Sequence, residues 1–252
     1  MIDSHCHLAD KKFAADVDAV IERAKAVGID TMITIADSLE EADECIAIAE
    51  AHENIFATVG VHPHHAKDWQ GSDVARIRDL VTKSKKAKAI GEIGLDFHYD
   101  FSPRDVQQRA FQEQLALAKE IGLPVVIHCR EAIHDLKEII KQVGAKNIVM
   151  HCCTEKWDDV KDHVAEGAFL SFTGMITYAN AQTIRDTVKE CPLNQLMIET
   201  DSPYLSPHAQ RGKRNEPAFV VEVAKAVAEI KGISLEEVAA ATTQNAIKFF
   251  RL

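Results

Sequence analysis

Two histidines separated by a single residue, His5 and His7, open the chain in the stretch Asp3-Ser4-His5-Cys6-His7-Leu8. In an extended segment, residues two apart project to one side and the residue between them to the other. Both imidazoles then face one way and Cys6 the opposite way, so the pair reads as part of a metal site rather than as a thiol nucleophile or a zinc knuckle. More side chains of ligand type stand near the ends of other apolar runs: Glu92 in AKAIGEIGLD, His128 in LPVVIHC, His151 in NIVMHC and Asp201 in QLMIETD. A lone histidine in such a run is ordinarily a hydrogen-bonded core residue. Four imidazoles and two carboxylates gathered in one place without a cation would instead carry a heavy desolvation cost. The joint pattern predicts metal ligands, and their number suits two divalent ions sharing a carboxylate. His5, His7, Glu92 and Asp201 would serve one ion, and Glu92, His128 and His151 the other.

The elements that must gather these residues are legible as a repeat. Runs rich in β-branched residues at 1–7, 30–37, 55–62, 87–96, 123–129, 147–152, 168–174 and 195–201 alternate with segments of helical spacing. In VDAVIERAKAVG, for example, Val17, Val20, Ile21, Ala24 and Val27 recur at helical intervals before Gly28. Strand and helix repeated about eight times without a linker predict parallel strands, most simply a closed (β/α)8 TIM barrel in one domain over residues 1–252. An open doubly wound sheet is the structural alternative. Two further helical patterns follow, at 216–230 and 234–250, the second opened by a capping box of Ser234 with Glu237. In a barrel of this class the active site is built at the C-terminal ends of the strands, which is where all six ligand candidates fall.

Composition narrows the partners. With 29 Lys and Arg against 39 Asp and Glu, the formal charge of -10 opposes broad electrostatic binding to polyanions or anionic membranes, so an anionic substrate must be drawn in locally. No apolar run approaches the roughly 20 residues that span a bilayer, and no signal peptide is evident; the expected setting is cytoplasmic, without membrane or obligate protein partner. The six cysteines are expected as free, mostly buried thiols. Aromatic residues, 6% of the chain, look too few and too scattered for a nucleotide-stacking platform.

Two divalent ions, Mg2+ or Mn2+ in function with Zn2+ and others possible, would lower the pKa of a bound water and stabilise charge developing at phosphorus or carbonyl carbon. Glu92 and Asp201 are the candidates to hold or accept the water proton. His62, at the end of the third strand, is either a substrate contact or a structural hydrogen-bonding residue. Arg130 suits a phosphate oxygen or an acidic neighbour. The cluster Arg211, Lys213 and Arg214 after the eighth strand reads as phosphate-steering. Glu199 reads as a buttress, and His52, His64, His65, His98, His134, His163 and His208 as surface, loop or structural residues.

These motifs resemble the TatD-type metal-dependent deoxyribonucleases. DSHCHL resembles the family's D-x-H-x-H-L opening, and VGVHPH, GEIGLDF, PVVIHCREA, MIETDSPYL and RGKRNEP look like its remaining motifs in the same order. The resemblance implies an amidohydrolase-like TIM-barrel hydrolase with two divalent ions, and carries the family's ligand positions onto His5, His7, Glu92, His128, His151 and Asp201. It further implies 3′–5′ exonuclease action on single-stranded DNA. One departure stands out: where the family commonly has H-C-F-S-G, this chain has His151-Cys152-Cys153-Thr154-Glu155, which alters pocket shape and polarity but not the ligand.

Two other readings compete. A dinuclear hydrolase of a small amide, lactone or phosphoester would often bridge its ions with a lysine on strand four, whereas here Glu92 occupies the strand end and Lys86 and Lys88 lie at the other. A non-catalytic metal-binding scaffold would need a closed coordination sphere, and six ligands for two ions leave positions open.

Overall fold

The computed structural model describes residues 1–252. Its strands are β1 (Ile2–Cys6), β2 (Thr31–Thr34), β3 (Ile55–Val59), β4 (Ala87–Asp96), β5 (Val125–Arg130), β6 (Ile148–Met150), β7 (Phe169–Phe172) and β8 (Leu196–Ile198). The helices are α1 (Val17–Ala26), α2 (Leu39–Ala51), α3 (Asp73–Lys83), α4 (Arg104–Ile121), α5 (Ile133–Val143), α6 (Trp157–Ala165), α7 (Gln182–Glu190), α8 (Val220–Lys231) and α9 (Leu235–Phe250). All eight strands belong to one sheet in chain order, β1 through β8, the topology of the (β/α)8 barrel that the alternating pattern predicts. The open doubly wound alternative, whose strand order would reverse at a switch point, is excluded. The chain separates into two compact units, Met1–Thr34 with Cys152–Leu252, and Ile35–His151.

In the first unit, β1 pairs with β2, β7 pairs with β8, and a bridge between Cys6 and Ser202 joins β1 to the segment that follows β8. Helix α1 buries Val20, Ile21 and Ala24, while Val27 is half-exposed. The rows of α9 bring Phe249 against Phe169 and Phe250, with ring centroids 5.4 and 4.8 Å apart in edge-on contact. Its N-terminus carries the expected capping box, the Ser234 side chain accepting from the Glu237 N–H and the Glu237 carboxylate from the Ser234 N–H.

In the second unit, β3 through β6 pair in sequence, and the long helix α4 does more than cover them. Gln107 and Gln114, two turns apart and so on one face, are both buried. Gln114 accepts from the Val61 N–H at 2.8 Å and donates to the Val61 carbonyl at 3.1 Å. Gln107 accepts from the Asp96 N–H at 2.9 Å and donates to the carbonyls of Asp96 and Ser102 at 3.1 and 2.8 Å. A buried amide is tolerated when its groups are paired, and here the pairing pins the segments after β3 and β4 to one helix.

Candidate metal centre

The first unit assembles His5, His7 and Asp201. Alternation along β1 sends both imidazoles the same way, while Cys6 donates to the Ile33 carbonyl on β2 at 3.4 Å. Asp201 is then carried to them by the backbone: its N–H donates to the His5 carbonyl at 2.9 Å, and the His7 N–H donates to the Ser202 carbonyl at 2.8 Å. Asp201 adopts φ 55°, a left-handed conformation that aspartate accepts more readily than most residues. The hydroxyl of Ser4 donates to the Ile198 carbonyl, and buried Asp3 accepts from the backbone and hydroxyl of Thr200 at 2.9 and 2.5 Å.

The result is tight. His5 Nε2 and His7 Nε2 stand 3.2 Å apart, and each lies 3.4 or 3.3 Å from the same oxygen of Asp201. Two nitrogens held by one ion at about 2.0–2.1 Å lie roughly 2.8–3.4 Å from each other in octahedral or tetrahedral arrangement, so the donor set fits a divalent cation.

The second unit assembles the other predicted ligands around one oxygen. Glu92 Oε1 is 2.7 Å from His151 Nε2, 2.9 Å from His128 Nδ1 and 3.4 Å from His62 Nε2. Two of the GEIGLD glycines make this approach possible. A Cβ on Gly91 would come 2.7 Å from the Val126 Cβ; one on Gly94, which has φ 146°, would come 2.0 Å from the His128 carbonyl oxygen. Only glycine lets β4 and β5 lie this close beside Glu92 and His128.

The nitrogen turned toward Glu92 separates His62 from His128. His62 Nδ1 accepts from the His64 N–H at 3.1 Å, so in the neutral ring the proton sits on Nε2 and points at Glu92. Burial and the neighbouring His128 lower its pKa and keep it neutral. That makes His62 a donor to Glu92 in the absence of metal, unlike His128, whose Nε2 can donate to Asp96 Oδ2 at 3.1 Å and leave Nδ1 as the ligand atom. Burial pulls the His128 pKa down, but its hydrogen bonds to Asp96 and Glu92 outweigh that and raise it.

Asp96 was legible only as the end of the GEIGLD motif, and the structure makes it a hub. It is fully buried and accepts from His128, from His64 Nε2 at 2.9 Å, and from the His98 and Tyr99 N–H groups at 3.1 and 2.9 Å. Burial raises its pKa, yet these bonds prevail and hold the carboxyl well below the usual carboxylate range. The signal available in the sequence was its spacing, four residues beyond Glu92 on one strand and therefore on the same face. His64 belongs with it: its ring packs edge-on against His62 at 4.4 Å, so the loop reading of His64 understates its place.

The remaining predictions sort by environment. Glu199 is a buttress as expected, accepting from the Cys152 N–H at 2.7 Å and the Ser171 hydroxyl at 2.5 Å. Arg214 is engaged with Asp16, through both terminal nitrogens at 2.8 and 2.7 Å, and with Glu216 at 3.0 Å, and it packs over Phe13. Lys213 reaches Gln210, while Arg211 is exposed. Much of RGKRNEP is thus a brace, completed by buried Asn215, which donates to the carbonyls of Thr200 and Tyr204. Lys86 donates to the carbonyls of His52, Glu53 and Ile55 at the start of β4, far along the strand from Glu92. His163 departs from the surface reading: it is buried on α6. The expectation of scattered aromatics also fails, because Tyr99 and Phe101 stack nearly parallel, with interplanar angle 15° and centroids 5.2 Å apart. Arg130 lies over the Tyr99 ring at 4.6 Å. Burial pushes the thiols of Cys153 and Cys191 up to about 12 and that of Cys152 well above its ordinary value, which leaves no thiolate nucleophile among them.

No helix is long and apolar enough to cross a membrane. Comparison with known proteins places this geometry in context. The chain is 40% identical, over all of its own length and 99% of the other's, to the uncharacterized metal-dependent hydrolase YabD of Bacillus subtilis. It is 38% identical, with both chains covered in full, to the 3′-5′ ssDNA/RNA exonuclease TatD of Erwinia tasmaniensis. The crystal structure of YJJV, a TatD homologue from Escherichia coli, superposes with TM-score 0.95 at 29% identity, covering 100% of this chain and 98% of that one. The sequence model for TatD-related DNases matches residues 2–251, and with that span and these relatives the chain belongs to the TatD-related DNase family.

Proposed function

We propose that the protein hydrolyses phosphodiester bonds in DNA, removing nucleotides from the 3′ ends of single strands, with two divalent ions. His5, His7 and Asp201 would hold one ion, and Glu92, His128 and His151 the other. The observation that carries the reading is the convergence of His5 Nε2 and His7 Nε2, 3.2 Å apart, on one oxygen of Asp201. Mg2+ or Mn2+, when bound, supplies Lewis acidity and positive charge to a phosphodiester group. The chain's own residues do the rest. Asp201, whose side chain is 15% exposed against 3% for Glu92, takes the proton of the attacking water. The Oε1 of Glu92 stands 2.9 and 2.7 Å from the ligand nitrogens of His128 and His151, and Asp96 orients His128 from the far side. Arg130 and Arg211, both exposed, are the arginines available to a phosphate, whereas the ion pairs of Arg214 favour a structural role for it. The six free cysteines accord with a reducing, cytoplasmic setting.

The test is degradation of an end-labelled single-stranded oligodeoxynucleotide. Metal-stripped protein is expected to lose cleavage and to regain it with Mg2+ or Mn2+, while Glu92→Gln stays folded and inactive. Undiminished cleavage in excess chelator overturns the mechanism, and near-normal turnover by Glu92→Gln removes that residue from it.

A further inference from the structure

Tyr99 and Phe101 are half-exposed or more, at 47% and 59%, and they are among the few large apolar side chains left so open. Their loop is held rigidly from below: Asp96 accepts from the Tyr99 N–H, Ser102 donates to the His64 carbonyl, and Arg104 donates to the Phe97 carbonyl. The two rings consequently form a fixed, nearly parallel stack, with centroids 5.2 Å apart. The acidic groups beside them are already engaged, Asp100 with Arg104 and Glu131 with His98. Arg130 lies over Tyr99 and is exposed. The pair is also continuous with the second ligand cluster: the His64 ring contacts Phe101 at 4.8 Å and Tyr99 at 5.5 Å, and His64 shares Asp96 Oδ2 with His128.

We infer that Tyr99 and Phe101, with Arg130, form a nucleobase-stacking subsite that binds one base of the nucleic-acid substrate while the guanidinium holds an adjoining phosphate. The inference rests on the proposed nuclease reading and assigns it a strand-binding surface. Aromatic faces accept every base, so the subsite would serve affinity and positioning without reading sequence, as an exonuclease that degrades any strand requires. The charge fits as well: a guanidinium beside a stacking platform gives local attraction on a chain whose formal charge is -10.

The experiment measures Kd by fluorescence anisotropy for wild-type holoenzyme in Mg2+ with a single-stranded oligonucleotide protected by 3′ phosphorothioates, and with an abasic strand of equal length. Replacing both rings, Tyr99→Leu with Phe101→Leu, is expected to raise Kd for the normal strand by roughly 5- to 150-fold, the loss expected for one stacked base. The abasic strand should bind the variant and the wild type alike. The conservative pair Tyr99→Phe with Phe101→Tyr should keep wild-type affinity, and Arg130→Gln should lower the salt dependence by about one phosphate contact. A double-leucine Kd within twofold of wild type overturns the subsite. Equal weakening for the abasic strand also overturns it, since the effect would then not depend on a base. If the wild type cleaves DNA in a chelator-sensitive way and either of these results is obtained, only the subsite falls. If the wild type neither binds nor cleaves, the nuclease reading falls and takes the subsite with it.

Discussion

Replacing Gly94 by alanine adds one methyl group, and the structure sets how much that methyl disturbs. Gly94 lies two residues beyond Glu92 on β4 and opposite His128 in register. The new Cβ would sit 2.0 Å from the His128 carbonyl oxygen and 2.9 Å from its carbonyl carbon, whereas real Cβ contacts essentially never fall below 3.0 Å. The two strands must therefore part by about 1 Å at this point, on the scale where catalytic misplacement costs about 100-fold. His128 Nδ1 is 2.9 Å from Glu92 and Nε2 is 3.1 Å from Asp96, so the same displacement breaks both bonds. The backbone adds its own penalty, because φ 146° is closed to residues with a Cβ, at about 1–3 kcal/mol. We expect Gly94→Ala to lower kcat/KM on single-stranded DNA about 100-fold. Metal affinity measured by calorimetry should weaken by roughly 10- to 100-fold. Tm should fall by roughly 2–12 °C, as about 1–3 kcal/mol implies for a chain of this size. Gly122→Ala is the matched control: it also has positive φ, 73°, but nothing lies within 4 Å of its Cβ, so it should lose some stability and keep activity. Near wild-type activity and metal affinity in Gly94→Ala would refute the argument that glycine is there to let His128 approach Glu92.

Arg214→Ala should lower Tm by roughly 2–4 °C, through loss of its pairs with Asp16 and Glu216, while leaving KM for DNA unchanged. A raised KM at unchanged Tm would restore Arg214 to the substrate. The same network gives an acid signature: hydrogen bonds from Arg214, opposed by slight burial and helped by Arg23, lower Asp16 to about 2 from 3.8. A depressed folded pKa means that the unfolded chain binds more protons, so this stabilisation is complete above about pH 4 and is lost as pH falls towards 2. In a Tm–pH series, Arg214→Ala should show a shallower fall across that window. Finally, alkylation at neutral pH followed by mass spectrometry should leave Cys153 and Cys191 unmodified in the native protein, because burial holds both thiols at about 12; rapid labelling would contradict their burial.

The strand and helix rhythm was legible because it depends on local periodicity, and the six ligand candidates were read from their places along that rhythm. Alternation along β1 was enough to divide His5 and His7 from Cys6, and the Ser234–Glu237 capping box lies within a single turn. Element edges were less legible. The run at 195–201 yields a strand only over Leu196–Ile198, since beyond it the backbone turns to carry Asp201 onto His5 and His7. Arg214 illustrates a limit of another kind: a basic cluster in sequence carries no mark of which acids will fold against it, and Asp16 lies 198 residues away.

What the sequence determined by itself is the set of candidate donors and the repeat that displays them, because residue chemistry and side-chain alternation are properties of short segments. Tertiary structure alone decided which donors meet at which distance. It placed Asp96 between His64 and His128, set the Nδ1 of His62 against a backbone N–H, and laid Tyr99 parallel to Phe101. It also turned the GEIGLD glycines from a motif into a steric requirement, since the oxygen that excludes a Cβ at Gly94 belongs to a different strand. The physical reason is the same in each case. These are contacts between side chains and backbones brought together by strand pairing and helix packing, and no periodicity along the chain encodes the distance across it.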